Sequence, residues 1–247
     1  MALIEAAGVH VRFGDRVVLE DIDLAVLEGE LHGIMGPNGA GKTTFFNVLT
    51  GRVKPTRGTI RLDGADIAGL SPHRIAARGI ARSFQTMTLF DDFTARDNVM
   101  VALPEFRARG FDMRHAVAGD ARLAAQAEDV LASVGLSAKS RIVARQLSYG
   151  ERRALEIAVA LAQRPRVLCL DEPTSGLGSD GTQRLLDLIR RIRSHVTIVV
   201  IEHDMHFLFS LAERISVIHW GQVVARGTPQ QLRSNEWVQR SNLGRFA

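Results

Sequence analysis

The segment Gly36-Pro37-Asn38-Gly39-Ala40-Gly41-Lys42-Thr43-Thr44 constrains this chain more than any other stretch of it. Two glycines five residues apart are followed by Lys and Thr, and the apolar run Leu31 to Met35 leads straight into the first of them. A helix ending near Gly51 is expected after the loop. Strand, glycine turn and helix in that order form a P-loop, in which successive backbone N–H groups wrap phosphate oxygens and the helix N-terminus adds partial positive charge. In that pattern Lys42 reaches the β and γ phosphates and Thr43 ligates Mg²⁺. Lys occurs only at positions 42, 54 and 139, so the one set among glycines is not an incidental surface charge.

A loop of this kind needs a carboxylate site for the metal and for the attacking water. The apolar strand Val167 to Leu170 ends in Asp171 and Glu172. Its unbroken apolar run implies burial on both faces, as in a parallel sheet, which delivers both acids to the carboxyl edge where ligands bind. Asp171 is the expected Mg²⁺ ligand, acting through the ion's water shell, and Glu172 the general base that polarises water toward the γ-phosphate. A second apolar strand, Val196 to Ile201, ends at Glu202-His203-Asp204 on the same edge, so His203 can donate a hydrogen bond to the transferring group. Cys169 lies inside its strand and reads as a small buried hydrophobe.

The rest of the chain bounds the class. Its 247 residues are 46% hydrophobic and 23% charged, enough for a sizeable core and too apolar for disorder. One cysteine excludes a disulfide framework and indicates a reducing compartment. No apolar run reaches the roughly 18 residues of a membrane span, and Met1 to Ala7, with Glu5 inside it, does not read as a signal peptide, so a cytoplasmic chain is expected. The net charge of +4 is carried by dispersed Arg, which argues against a nucleic-acid partner.

Val11 to Ala25 alternates like an antiparallel ribbon, and Ile80 to Phe84 reads as a strand running into Gln85. A helical region is expected from Ala95 to Gly135, with Leu123, Val130, Leu131 and Val134 on its core face. Leu147-Ser148-Tyr149-Gly150-Glu151 then enters another helix, whose start is a second anion-binding end. Two phosphate sites beside one P-loop imply a site shared between copies. Thr228 and Pro229 have the form of the N-cap and first residue of a tail helix.

Over essentially its whole length the chain resembles the ATP-binding cassette ATPases. GPNGAGKT is similar to the Walker A loop, Gln85 to the Q-loop residue, LSYGE to the signature, VLCLDE to the Walker B strand and His203 to the switch histidine. The resemblance implies ATP and Mg²⁺ as cofactors, with Lys42, Glu172 and His203 as catalytic groups and Thr43, Gln85 and Asp171 as metal ligands. It places Phe13, in the Phe-Gly pair ahead of the loop, against adenine, and residues 36–44 and Gln85 around the nucleotide. It implies a head-to-tail dimer with an identical or homologous cassette, so that Ser148 and Gly150 serve a partner's ATP. Permease subunits are expected against Thr86 to Asn98, with the chain peripheral on the inner face of the membrane. The implied fold is α/β, a RecA-like P-loop core (1–85 and 152–228) with an antiparallel ribbon, an inserted helical subdomain (86–151) and a short tail (229–247).

Finer resemblance, through ARSFQ, LSYGERRALEIA, IEHDM, the residues Pro104 to Asp120 and the ending GTPQQLRSNEWVQRSNLG, points to importers of branched-chain and other hydrophobic amino acids, with urea and amide importers close by. The alternatives are the ATPase of a lipopolysaccharide exporter and a soluble cassette ATPase acting on DNA or ribosomes. About a hundred residues separate Lys42 from Ser148, too few for the coiled coils of chromosome-type relatives, and one cassette rather than two argues against the translation type. Two departures stand out: Tyr149 and Glu151 where Gly and Gln are common, and Gly178 where the D-loop usually has Asp or Asn. Gly178 either loosens the dimer interface, or takes a left-handed conformation, or yields its role to Ser179 or Asp180.

Overall fold

The computed structural model describes residues 2–83, 89–108 and 120–240. Its strands in chain order are β1 (Ala2–Phe13), β2 (Arg16–Leu27), β3 (Leu31–Met35), β4 (Arg57–Leu62), β5 (Ala65–Asp66), β6 (Ile80–Arg82), β7 (Val167–Asp171), β8 (Thr197–Ile201), β9 (Arg214–His219) and β10 (Gln222–Gly227). Its α-helices are α1 (Lys42–Leu49), α2 (Pro72–Ala77), α3 (Ala95–Met100), α4 (Pro104–Ala108), α5 (Ala121–Ser133), α6 (Tyr149–Ala162), α7 (Ser179–Ile192), α8 (Met205–Leu211), α9 (Pro229–Arg233) and α10 (Glu236–Arg240).

Two sheets organise these elements: an antiparallel one in the order β2-β1-β4-β5, and a six-stranded one in the order β10-β9-β3-β8-β7-β6. In the larger sheet every pairing from β9 to β6 is parallel, and only β10 runs antiparallel, against β9. The carboxyl ends of β3, β7 and β8 therefore form one edge.

Burial on both faces explains the unbroken apolar strands. In β7, Val167 and Cys169 face the core shared with the antiparallel sheet and α1, while Leu168 and Leu170 face the core built with α5, α6, α7 and α8. Complete burial pushes the Cys169 thiol up to about 12, as fits an inert core residue.

The β1–β2 ribbon begins nine residues earlier than alternation indicates. Bulges between Ala2 and Ile4 and between Ala6 and Val9 break the two-residue period and hide its start. β6 is described only to Arg82, and Phe84 and Gln85 lie outside the described residues. Among the described residues the helical region holds three helices, α3, α4 and α5, with a break after α3, and 109–119 lie outside the described residues. On α5 Leu123, Ala127 and Leu131 are buried and Val134 follows them, while Val130 is only partly buried. The stripe therefore runs through Ala127 at the four-residue spacing. Thr228 caps α9 with a capping box to Gln231, as the Thr-Pro pair indicates.

Candidate functional site at the carboxyl edge of the parallel sheet

The loop between β3 and α1 is shaped by its glycines. A Cβ at Gly36 would lie 2.0 Å from the Ile218 carbonyl oxygen. At Gly41 it would stand 2.7 Å from Leu19 Cδ2 and 3.0 Å from the Val18 oxygen, and Gly41 has φ +103. Gly39 is also left-handed, while Ala40 is buried and its carbonyl accepts the Gly221 N–H at 3.0 Å. Ribbon and sheet thus hold the loop from behind, leaving Asn38, Gly39 and Thr43 exposed, with Pro37 and Thr44 half-buried.

Lys42 folds back into this loop. Its Nζ donates to the carbonyls of Gly36 (2.7 Å) and Pro37 (2.9 Å), and the side chain is buried. Burial lowers the pKa of the ammonium from its ordinary value, and the negative charges of Glu172, Asp171 and Glu202 oppose that shift. A cation facing three carboxylates across an open loop is the arrangement a phosphate chain and a divalent ion complete.

Asp171 ends β7 almost fully buried. Its Oδ2 accepts from Arg82 Nη2 at 2.5 Å, an interaction that neither motif reading nor periodicity indicates. Glu172 follows with φ +44 and donates its N–H to the Ile201 oxygen at 2.9 Å. A non-glycine residue held left-handed stores strain, which is common where a side chain must be aimed at chemistry. Glu202 ends β8 with no exposure; its Oε1 accepts from the Thr174 N–H (2.8 Å) and hydroxyl (2.6 Å), and its Oε2 from the His203 N–H (3.1 Å). This buried carboxylate fastens the loop after β7 to the residue that carries the histidine ring. The His203 side chain itself is 59% exposed.

The structure brings Gly36 to Thr44, Asp171, Glu172 and His203 to one edge. Phe13 sits at the ribbon tip opposite Arg16, 52% exposed, joined through β2 to Val18 and Leu19 behind Gly41. Ser148 and Gly150 lie at the start of α6, beside the loop after β7: a Cβ at Gly150 would meet Leu177 at 3.9 Å. Ser148 is the N-cap, its hydroxyl accepting from the Glu151 N–H while Glu151 accepts the Ser148 N–H at 2.8 Å. The hydrogen bond from the Ser148 N–H leads the causes that lower the pKa of Glu151. Tyr149 donates its hydroxyl to the Ser175 oxygen at 3.0 Å, above Gly176. Gln85 lies outside the described residues.

After that segment, Phe90 and Phe93 stack with centroids 5.1 Å apart and are both exposed. Buried Asn98 staples their turn, accepting the Phe90 N–H (2.8 Å) and donating to the carbonyls of Phe90 (3.0 Å) and Thr94 (3.0 Å).

Comparison with known proteins gives consistent results. Residues 19–175 match the ABC transporter family. The chain is 41% identical to the high-affinity branched-chain amino acid transport ATP-binding protein BraF of Pseudomonas aeruginosa, over 98% of both chains. It is 38% identical to the corresponding protein LivG of Escherichia coli, again over 98% of each. The lipopolysaccharide export system ATP-binding protein LptB of Acidithiobacillus ferridurans is 32% identical over 98% of this chain and 97% of that one. Among solved structures, the ADP conformation of an ATP-binding cassette of an ABC transporter matches with a TM-score of 0.88 at 24% identity, covering 99% of both chains.

Proposed function

This chain belongs to the ABC transporter family and is an ATPase, and we propose that it drives an importer of branched-chain or other hydrophobic amino acids. The observation that carries the chemistry is the convergence of Lys42 with Asp171, Glu172 and Glu202 at one sheet edge. The solute class is supported by the identity to BraF and LivG, which exceeds that to the exporter ATPase.

In this reading the amides of residues 36–44 and the Lys42 ammonium bind the phosphates, and Phe13 stacks on adenine. Thr43 and Asp171 offer a hydroxyl and a carboxylate, hard oxygen donors that suit Mg²⁺, with Gln85 as a further ligand. Bound Mg²⁺ neutralises charge on the phosphate oxygens. Glu172 takes a proton from the water attacking the γ-phosphorus, the bond to the β-phosphate oxygen breaks, and His203 donates a hydrogen bond to the transferring group. Ser148 and Gly150 complete the site of a second cassette. Residues 1–85 and 152–228 form the nucleotide core, 86–151 the helical subdomain and 229–247 the tail. Permease subunits seat against Phe90 and Phe93 on the inner face of the membrane; among the described residues no helix is long and apolar enough to cross it.

Glu172→Gln tests the reading. Nucleotide binding is expected to persist while turnover falls on the order of 10²- to 10⁴-fold, and light scattering with ATP should show pairing of cassettes. Wild-type turnover in the assembled transporter sinks the base assignment. Persistent monomer with the natural partner supplied sinks the shared site.

A further inference from the structure

Arg82 lies in the ARSFQ stretch, but no role was assigned to it above, and it touches two of the elements that build the site. Thr43, Asn47 and Thr50 recur at i, i+4 and i+7 along α1 and its C-terminal cap, so they form one stripe of that helix. The guanidinium of Arg82 lies against the far end of the stripe. Its Nη1 donates to Asn47 Oδ1 at 2.7 Å and Thr50 Oγ1 at 3.3 Å, and its Cζ stands 5.6 Å from the Phe46 ring centroid. Its Nη2 donates to Asp171 Oδ2, with the two side chains 8% and 1% exposed. Register places Arg82 beside Cys169, so Ile80 and Arg82 face the same layer as Val167 and Asp171.

We propose that Arg82 is a positioning residue that sets the separation of the two proposed magnesium ligands, Thr43 and Asp171. The inference rests on the metal reading given under Proposed function. A guanidinium is planar and presents its donors in a fixed fork, so bonding α1 with one nitrogen and β7 with another fixes the distance between them. Oδ2 is turned toward Arg82, which orients the carboxyl and leaves Oδ1 for the water shell of the ion. Mg²⁺ dehydrates reluctantly, and a carboxylate already paired with a cation suits that indirect contact. Lysine carries the charge without the fork and cannot hold both ends.

The test uses the full chain with saturating ADP and Mn²⁺ in place of Mg²⁺, read by electron paramagnetic resonance and Mn²⁺ titration. Arg82→Lys is expected to weaken Mn²⁺ binding on the order of 10-fold and broaden its spectrum. Asn47→Ala, which removes the shorter of the two bonds from Arg82 to α1 and leaves the Arg82–Asp171 pair intact, is expected to weaken it about 3-fold. ADP affinity in chelator should match wild type in both. Asp171→Asn reports on the underlying reading, with Mn²⁺ affinity expected to fall. Wild-type or tighter Mn²⁺ binding in folded Arg82→Lys and Asn47→Ala overturns the positioning role, tighter binding meaning that Arg82 competes with the ion. If Arg82→Lys does not fold, Asn47→Ala alone decides. Unchanged Mn²⁺ affinity in Asp171→Asn overturns the metal reading itself, and the positioning role with it.

Discussion

The two ends of the parallel sheet treat buried charge in opposite ways. At the amino end, Glu30 precedes β3 and is closed into a network. Arg214 forks onto it with bonds of 2.6 and 2.8 Å, the Leu27 N–H donates at 2.7 Å, and His32 Nδ1 lies 2.8 Å away with its Nε2 3.0 Å from Ser216 Oγ. Register puts His32 opposite Arg214 and Ile34 opposite Ser216, so the one neighbouring strand β9 supplies both partners. At the carboxyl end Lys42 is held by loop carbonyls, Glu172 is strained, and Thr43 and His203 face outward. A site that must admit a phosphate chain keeps donors such as Thr43 and His203 toward solvent, whereas the network at the opposite end is closed.

The sharpest way to break this contrast is to remove one charge from each end. Lys42→Ala should weaken ATP binding by more than 10-fold, since hydrogen bonds to charged groups contribute about 1.5–3 kcal/mol each, and leave the thermal midpoint near wild type. Glu30→Ala should do the reverse. It leaves buried His32 and half-buried Arg214 without their carboxylate, at a cost that breaking a fully buried pair would set at about 3–5 kcal/mol and that the partial exposure of Arg214 reduces, while ATP affinity of the folded fraction stays constant. Calorimetry and nucleotide titration on the same preparations check both. A loss of binding in Glu30→Ala equal to that in Lys42→Ala would dissolve the distinction.

Acid sharpens it further. Burial alone would raise the pKa of Glu30, but the hydrogen bonds from His32 and Arg214 outweigh burial and lower it from 4.5 to about 2. A carboxyl with a depressed folded pKa contributes stability that is present above its unfolded value and lost as pH falls through the folded one. The window is therefore pH 4.5 down to about 2, and the contribution is about 3 kcal/mol. Burial lowers the pKa of His32, with the Glu30 hydrogen bond opposing, so its contribution begins to fade below pH 6.5. Urea unfolding from pH 4.5 down to about 2 should show a steeper loss in wild type than in Glu30→Gln.

The same contrast explains what the sequence discloses. Asp171, Glu172 and His203 each stand at the end of an apolar strand, and Lys42 opens the helix after a glycine loop that such a strand feeds, so local patterns locate them and the parallel sheet gathers them. Arg82 and Asp171 are 89 residues apart, and Arg214 and Glu30 184 apart. Their pairing follows from strand order in the sheet, and no local period encodes it. Glu202 is visible beside His203, but its hold on Thr174 is a long-range contact. The early start of the ribbon is hidden by bulges, and the break after α3 falls in a run whose apolar spacing alone reads as continuous helix.

A smaller effect concerns the tie between α6 and the loop after β7. Tyr149→Phe removes the bond to the Ser175 oxygen and keeps the ring over Gly176, where φ is +77 and a Cβ would stand 2.8 Å from the tyrosine oxygen. The loss should be about 1 kcal/mol. Because the loop begins beside Glu172 and α6 carries Ser148, loosening the tie should lower the Hill coefficient of ATP turnover in the assembled complex. An unchanged coefficient with a lowered thermal midpoint would make the bond structural only.

The smallest expected effect belongs to Gly178. Its backbone is extended, with φ −79 and ψ −179, so the left-handed explanation for glycine does not hold here. Among the described residues nothing lies within 4 Å of a Cβ built there, and the residue is the N-cap of α7 with no side chain to accept the first amides. An Asp fits this position sterically and supplies that acceptor, so Gly178→Asp should raise the stability of the isolated chain by a few tenths of a kcal/mol. Gly178→Ala should bring no such gain. Nucleotide affinity of the isolated chain should stay constant in both, because the Cβ points into open space and away from the glycine loop's contacts. Turnover of the assembled complex separates the remaining explanations. A carboxylate spent on capping α7 is less available to a partner, so a stability gain with unchanged turnover means that the D-loop acid has no task at this position, whereas altered turnover means that it does. Loss of turnover in Asp180→Ala alone assigns the task to Asp180, in the first turn of α7.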